Sequence, residues 1–270
     1  TPLYSSAASD VYKRQGSNIA NIGLILGVTA LIKPPRADGR FGRREVPILL
    51  LTAIAVPLLL LDGLVSTLEA ALLISGAVAY TTWMVLDSMK DRAAVREAER
   101  TVGTVAELAE AAATHLEHSS RSRLVLSAIA GLALLVIGGQ LLVDGASALA
   151  LKVGMSQRVV GLTIVAVGTS LPELATSLIA AFRGHPDIAV GNVIGSNIFN
   201  VLFCLGSAAL VGSVGAPLQT VSLDVWTMVG LTVVASVMLR TARVISRLEG
   251  ALLNLAYVGF LVALMMQGQG

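Results

Sequence analysis

The chain has 270 residues, 55% of them apolar and 13% charged, with a net charge of +2; a soluble domain of this length carries about 25% charged residues. That deficit excludes an ordinary soluble globule. The basic residues sit in short clusters at the ends of apolar runs, which excludes a nucleic-acid-binding surface. Period-2 alternation is missing, which excludes an outer-membrane barrel.

Residues 1–15, TPLYSSAASDVYKRQ, have neither the apolar core of a signal peptide nor the length of a membrane span. They are expected to be a non-native or disordered leader on a reading frame truncated at its front. From Gly16 onward the apolar runs begin. A bilayer core of about 30 Å takes roughly 20 helical residues to cross. About eight runs approach or exceed that length: 17–33, 46–61, 67–86, 124–150, 157–182, 191–212, 221–240 and 248–267. The expected class is therefore an all-α polytopic membrane protein. The loops at 34–45, 89–123 and 241–247 hold most of the Lys and Arg, and Arg183 falls on the same side. The loops at 62–66 and 213–220 hold none, and 151–158 holds only Lys152 and Arg158. An excess of Lys and Arg marks cytoplasmic loops, so the three basic loops are expected in the cytoplasm.

The stretch 89–123 is the longest polar segment. DRAAVREAER and TVAELAEAAATHLEH within it are rich in helix formers, so a solvated or interfacial helix is expected, linking residues 16–88 to residues 124–267. His115 and His118 fall in this linker and read as solvated. Cys204 lies alone in an apolar run and reads as a small packing residue.

The two flanking parts are related. GSNIAN at 16–21 matches GSNIFN at 195–200, an offset of 179, and STLEAALL at 66–73 matches SRLEGALL at 246–253, an offset of 180. Two matches at nearly one offset point to a duplicated unit. The second copy, 124–267, would hold five spans; 16–88 would hold the equivalents of the last three. Eight spans of an original ten, in two five-span repeats, would place the repeats in opposite orientations because five is odd. Secondary transporters built this way bind ions at the midplane between repeats.

The chemistry concentrates in GLTIVAVGTSLPELATSLIAAFRGHPDIAVGNVIGSNIFN, residues 161–200. Glu173 falls mid-span, where a carboxylate costs several kcal/mol. Pro172 lacks an N–H and crowds the carbonyl of Gly168, so the helix is expected to break there. Broken helices at depth expose backbone oxygens where a cavity or ion takes them. Thr169 and Ser170 stand one turn before Glu173, on a shared face. Ser196 and Asn200 share a face of the next span, and Ser17 and Asn21 repeat that spacing. Carboxylate, hydroxyl and amide oxygens form a hard donor set suited to Na⁺ or Ca²⁺. Gly191, Gly195 and Gly206 read as sites of close helix approach. Glu69 and Glu249 recur in both copies near span ends and read as structural. Asp62, Asp144 and Asp224 also fall near ends.

GTSLPEL followed by GNVIGSNIFN resembles the second α-repeat of the cation/calcium exchanger superfamily, in its prokaryotic sodium/calcium exchanger-like branch; GSNIAN resembles the tail of the first α-repeat. The resemblance runs over about residues 16–267. It implies ten spans in an intact member, a cytoplasmic 87–123 loop and multi-pass placement in a prokaryotic inner membrane. It also implies ion ligation by Thr169, Ser170, Glu173, Ser196, Asn200, Ser17 and Asn21. Some members carry Asp where this chain has Asn200, and the first repeat's GTSLPE-type stretch is missing here, so one glutamate stands where the family has two.

The expected function is secondary active antiport, Na⁺ against Ca²⁺, by alternating access. Proton-coupled exchange of Ca²⁺ or another cation is the nearest alternative; a cation channel or a non-transporting membrane scaffold is the alternative of another class. No nucleophile–base arrangement suggests an enzyme. No cofactor, nucleic acid or protein partner is implied; the expected partners are the lipid bilayer and small cations.

Overall fold

A computed structural model of the chain describes residues 14–36, 39–101, 121–212, 214–241 and 244–267. These residues form helices α1 (Arg14–Ile32), α2 (Gly39–Leu59), α3 (Thr67–Thr101), α4 (Arg121–Lys152), α5 (157–169), α6 (Leu171–Phe182), α7 (Pro186–Val211), α8 (Leu218–Thr241) and α9 (Arg247–Gln267). Among the described residues there is no strand beyond two isolated bridges. Six helices contain stretches long and apolar enough to cross a membrane: α1, α3, α4, α7, α8 and α9. The α5–α6 pair makes a seventh if its two parts are one span. In α2, Arg40, Arg43, Arg44 and Glu45 occupy the opening turns, which leaves its apolar part shorter than the others.

Two compact units are present. Residues 1–74 with 136–270 form the larger, and residues 75–135 the smaller. In the smaller, α3 runs on as helix to Thr101 without interruption. The polar DRAAVREAER stretch is thus a continuation of the preceding span, not a separate helix. Its Ala, Glu and Arg residues favour helix wherever the chain leaves the bilayer. Residues 102–120, with His115 and His118, lie outside the described residues, as do residues 1–13 of the expected leader. Val125, Leu126, Ile129 and Leu132 on α4 are exposed, as a lipid-facing helix requires.

The larger unit is built around α1. Ile19, Ile22, Ile25 and Leu26 are buried almost completely, while Leu51, Leu58, Leu68, Leu72, Leu248 and Leu255 on surrounding helices are exposed. The interior thus combines packed aliphatic side chains with buried polar groups such as Asn21 and Ser17, while leucine also faces outward, as a bilayer permits.

Its contacts come in reciprocal pairs. The Ile245 N–H donates to the Pro35 oxygen at 3.1 Å, and the Val65 N–H to the Val214 oxygen at 2.9 Å. Adding 179 to 35 gives 214, and subtracting 180 from 245 gives 65. Gly250 of α9 packs so closely on α1 that a Cβ there would stand 2.7 Å from the Ala30 Cβ. Gly206 of α7 packs on α3 in the same way, 3.0 Å from the Leu73 Cβ and 3.2 Å from the Ala70 oxygen. Each part of the chain thus lends a helix to the other. Gly195 behaves differently from the expectation of close approach: a Cβ there would meet nothing within 4 Å.

Glu69 and Glu249 are structural in a definable way. The Ser246 N–H and hydroxyl donate to Glu249 Oε2 at 2.7 and 2.8 Å, and the Glu249 N–H donates back to Ser246 Oγ at 3.2 Å. Ser66 and Glu69 do the same at 2.8, 2.7 and 3.3 Å. Both are capping boxes at the starts of α9 and α3, satisfying N–H groups that a helix start leaves orphaned. Asp62 accepts the Leu64 N–H at 3.2 Å and Asp144 the Gln140 amide at 2.9 Å, both in exposed positions, whereas Asp224 is fully buried in α8.

Two stability predictions follow from these contacts. Ser246→Ala removes a helix cap and should cost about 1 kcal/mol, read as a lowered melting temperature in detergent micelles, with Ser66→Ala costing a similar amount. Gln15 is 3% exposed and neither amide atom has a partner, while the residue 179 positions on, Ile194, is 1% exposed. Gln15→Ile removes an unsatisfied buried amide, for which the penalty is about 1–3 kcal/mol, and should raise the melting temperature. No rise would mean that the amide is satisfied in the bilayer-embedded protein.

Candidate functional site

The span expected at 157–182 is two helices. α5 ends at Thr169 and α6 begins at Leu171, with a bend of 50° between them. Ser170 at the break has φ −95° and ψ 4°, outside the helical basin. Pro172 stands in the first turn of α6, where a missing N–H costs nothing. The break therefore puts Glu173 in the first turn of a new helix, at its electropositive end. Asn192 of α7 braces this turn, donating from Nδ2 to the Glu173 backbone oxygen at 3.0 Å and to Ser177 Oγ at 3.1 Å.

α1 crosses this break closely. A Cβ on Gly16 would stand 2.7 Å from the Ala166 Cβ and 3.1 Å from the Leu162 Cα, so only glycine permits the approach. The crossing sets Ser17 against the break, with its Oγ 2.8 Å from Ser170 Oγ. From the other side α7 contributes Asn200, whose Nδ2 donates to Ser17 Oγ at 3.3 Å and to Asn18 Oδ1 at 2.9 Å. Asn21 Nδ2 donates to Asn197 Oδ1 at 2.9 Å, and Asn197 Nδ2 to the Asn18 backbone oxygen at 3.4 Å. Ser196 lies within hydrogen-bonding reach of the Glu173 carboxylate.

Of the seven sequence-derived site residues, Ser17, Asn21, Ser170 and Asn200 are joined through one chain of hydrogen bonds with Asn18 and Asn197, while Glu173 and Ser196 form a separate pair between α6 and α7. Thr169 differs. Its hydroxyl donates to the Ala166 oxygen at 3.1 Å, and the residue is exposed at the end of α5. Sharing a helix face with Glu173 required an unbroken helix, and the break at Ser170 removes that condition. Asn18, Asn197 and Asn192 are site residues the sequence reading passed over. The first two stand inside the repeated GSN words, and that repetition was the signal available.

Two buried oxygens at the site have no hydrogen-bond partner: Glu173 Oε2 and Asn21 Oδ1. Buried acceptors are ordinarily satisfied, and a carboxylate oxygen left bare in a membrane interior is costly. A cation is the natural complement. Among the described residues no group of three or more His, Cys, Asp and Glu gathers, so the donors on offer are one carboxylate, hydroxyls, amides and backbone oxygens. That hard, oxygen-only set excludes soft thiophilic metals and suits Na⁺ and Ca²⁺. The helix geometry adds to it. α1 and α7 each widen to a π-helical turn that begins at the site asparagine, Asn21–Leu26 and Asn200–Leu205. Such turns are rare and cluster at functional positions. Beside Asn200 lies a small cleft lined by Arg14, Gln15, Asn18, Leu60 and Met228 among others.

The model of the sodium/calcium exchanger protein family matches residues 14–86 and 123–266. The chain belongs to that family. Its relatives include CaxA of Alkalimonas amylolytica, an antiporter by name, 37% identical over 251 residues that cover 91% of this chain and 75% of that protein. The inner membrane protein YrbG of Escherichia coli (strain K12) is 37% identical over 196 residues, 73% of this chain and 58% of YrbG. Among solved structures, the sodium-calcium exchanger NCX_Mj soaked with zero Na⁺ and Ca²⁺ superposes with a TM-score of 0.71 at 27% identity, over 97% of this chain and 78% of that one. The exchanger chain is accordingly a multi-pass helical membrane protein whose polar centre is the oxygen cluster described above.

The bracing of Glu173 is open to direct test. Asn192→Leu removes both donated bonds to α6 and should cost about 1–3 kcal/mol, seen as a lower melting temperature, while Asn192→Asp, which cannot donate either bond, should behave like the leucine variant.

Proposed function

We propose that the chain carries out secondary active cation antiport, exchanging Na⁺ for Ca²⁺ by alternating access. The observation that carries the reading is the pair of unpartnered buried oxygens, Glu173 Oε2 and Asn21 Oδ1, one from each part of the duplicated sequence. Membership of the sodium/calcium exchanger family supports the cation class.

In this reading Ser170, Glu173, Ser196 and Asn200 supply oxygens from one repeat and Ser17 and Asn21 from the other, with Thr169 outside the set because its hydroxyl is turned to the Ala166 oxygen. Residues 16–88 and 124–267 are the two repeats, in inverted orientation; the reciprocal contacts of α1 with α9 and α7 with α3 support the two-fold relation. Eight spans result if α2 crosses and α5–α6 is one bent span. Ca²⁺ and Na⁺ compete for overlapping oxygens. Because one Ca²⁺ carries the charge of two Na⁺, the one can replace the other without changing the charge facing Glu173, and competition for that shared site couples the two fluxes. The membrane is the inner membrane of a prokaryote, with loops 34–45, 89–123 and 241–247 in the cytoplasm; the arginine clusters support that orientation, and the E. coli relative is an inner membrane protein.

The test is ⁴⁵Ca²⁺ uptake by proteoliposomes loaded with Na⁺ and diluted into Na⁺-free buffer. Uptake should require the outward Na⁺ gradient and fall at least about a hundredfold in Glu173→Gln, the scale for removing a required charged ligand by a few kcal/mol. Uptake that follows a pH gradient and ignores Na⁺ would replace the coupling ion with H⁺. Undiminished uptake in the Gln variant would remove Glu173 from the site.

A further inference from the structure

The four asparagines of GSNIAN and GSNIFN form a reciprocal arrangement. Asn21 of α1 donates its amide N–H to Asn197 of α7, and Asn200 of α7 donates its own to Asn18 of α1, both at 2.9 Å. Subtracting 179 from 197 gives 18 and adding 179 to 21 gives 200, so the two bonds are mates. Asn21, Asn18 and Asn197 are 0%, 4% and 2% exposed, which keeps water from competing for the bonds.

An asparagine side chain can ligate a cation only through Oδ1, and its amide can turn over to present Nδ2 instead. Presenting Nδ2 would point two N–H hydrogens at a positive ion. Asn197 Oδ1 is an acceptor that holds Asn21 with its N–H outward and its Oδ1 left over. Asn18 Oδ1 holds Asn200 by the same means, with Ser17 Oγ taking the second hydrogen. Resting on the cation-site reading above, we infer that Asn18 and Asn197 are positioning residues, each locking the amide of a ligand asparagine in the opposite repeat so that its oxygen faces the ion. The clasp also ties α1 to α7 symmetrically at the one level where the repeats share ligands, so orientation of the ligands and registration of the repeats are one constraint.

The experiment is ⁴⁵Ca²⁺ equilibrium binding to the full chain in detergent micelles, arranged as double-mutant cycles. Asn197→Leu is made in the parent and in Asn21→Leu; Asn18→Leu is made in the parent and in Asn200→Leu. Partners that orient a ligand usually contribute about ten- to hundredfold in metal affinity. A loss of that size is expected for each single leucine variant in the parent, and less than about twofold once the partner asparagine is gone, since nothing remains to orient. Asn197→Asp keeps an acceptor for Asn21 Nδ2 while losing the 3.4 Å bond to the Asn18 oxygen, and should bind Ca²⁺ more tightly than Asn197→Leu, which guards against a leucine variant that fails to fold. Equal losses in both backgrounds would make Asn197 and Asn18 ligands or packing residues and overturn the clasp. No loss in the parent would overturn it as well. A parent chain that binds Ca²⁺ no better than Glu173→Gln would overturn the cation site itself, and the clasp's role with it.

Discussion

The polar groups around the break between α5 and α6 answer to the carboxylate of Glu173. A charged oxygen halfway along an apolar helix has no water to turn to, and hydrocarbon offers it nothing. The chain meets that demand by breaking the helix at Ser170, which brings the electropositive start of α6 beneath the carboxylate. Asn192 then fastens the opened turn from the neighbouring helix, and Ser196 comes within reach of the carboxylate. Glu173 Oε2 and Asn21 Oδ1 remain without a hydrogen-bond partner, and these are the oxygens that the proposed cation site offers.

That demand also explains the packing around α1. To bring Ser17 and Asn21 to the break, α1 has to cross α5 at backbone contact, and Gly16 against Ala166 is where it does so. A helix so enclosed cannot be held by the hydrophobic effect in a lipid solvent. Small residues and interhelical hydrogen bonds hold it. Gly250 against Ala30 and the asparagine pairs serve that purpose here. The same contacts recur between α7 and α3, so the enclosure of each repeat depends on the other.

Much of the site was legible in the primary structure because its chemistry is local. A proline beside a mid-span glutamate announces a broken helix, and two hydroxyls and two asparagines at helical spacing announce a set of oxygens. The capping boxes were visible as repeated Ser-x-x-Glu words. The fate of Thr169 was not visible: the i to i+4 rule assumes an unbroken helix, and the bend at Ser170 leaves its hydroxyl on the Ala166 oxygen. Nor was the contrast between Gly16, packed at backbone contact, and Gly195, with open space beside it, although both begin the same GSN word. What a glycine admits depends on which helix passes it.

Amino-acid order alone pointed to the membrane class, the duplication, a broken helix beside Pro172 and the oxygen-bearing residues proposed as ligands. Each of these follows from composition or from spacing along one helix, where geometry is known in advance. Tertiary structure alone decided that Asn18 and Asn197 accept from Asn200 and Asn21 across the two parts of the chain, that Asn192 holds the Glu173 turn, and that Asp224 is buried while Asp62 and Asp144 are not. The bonds among them join residues 19 to 182 positions apart. Their existence depends on how the helices cross, and no periodicity within a single helix encodes a crossing.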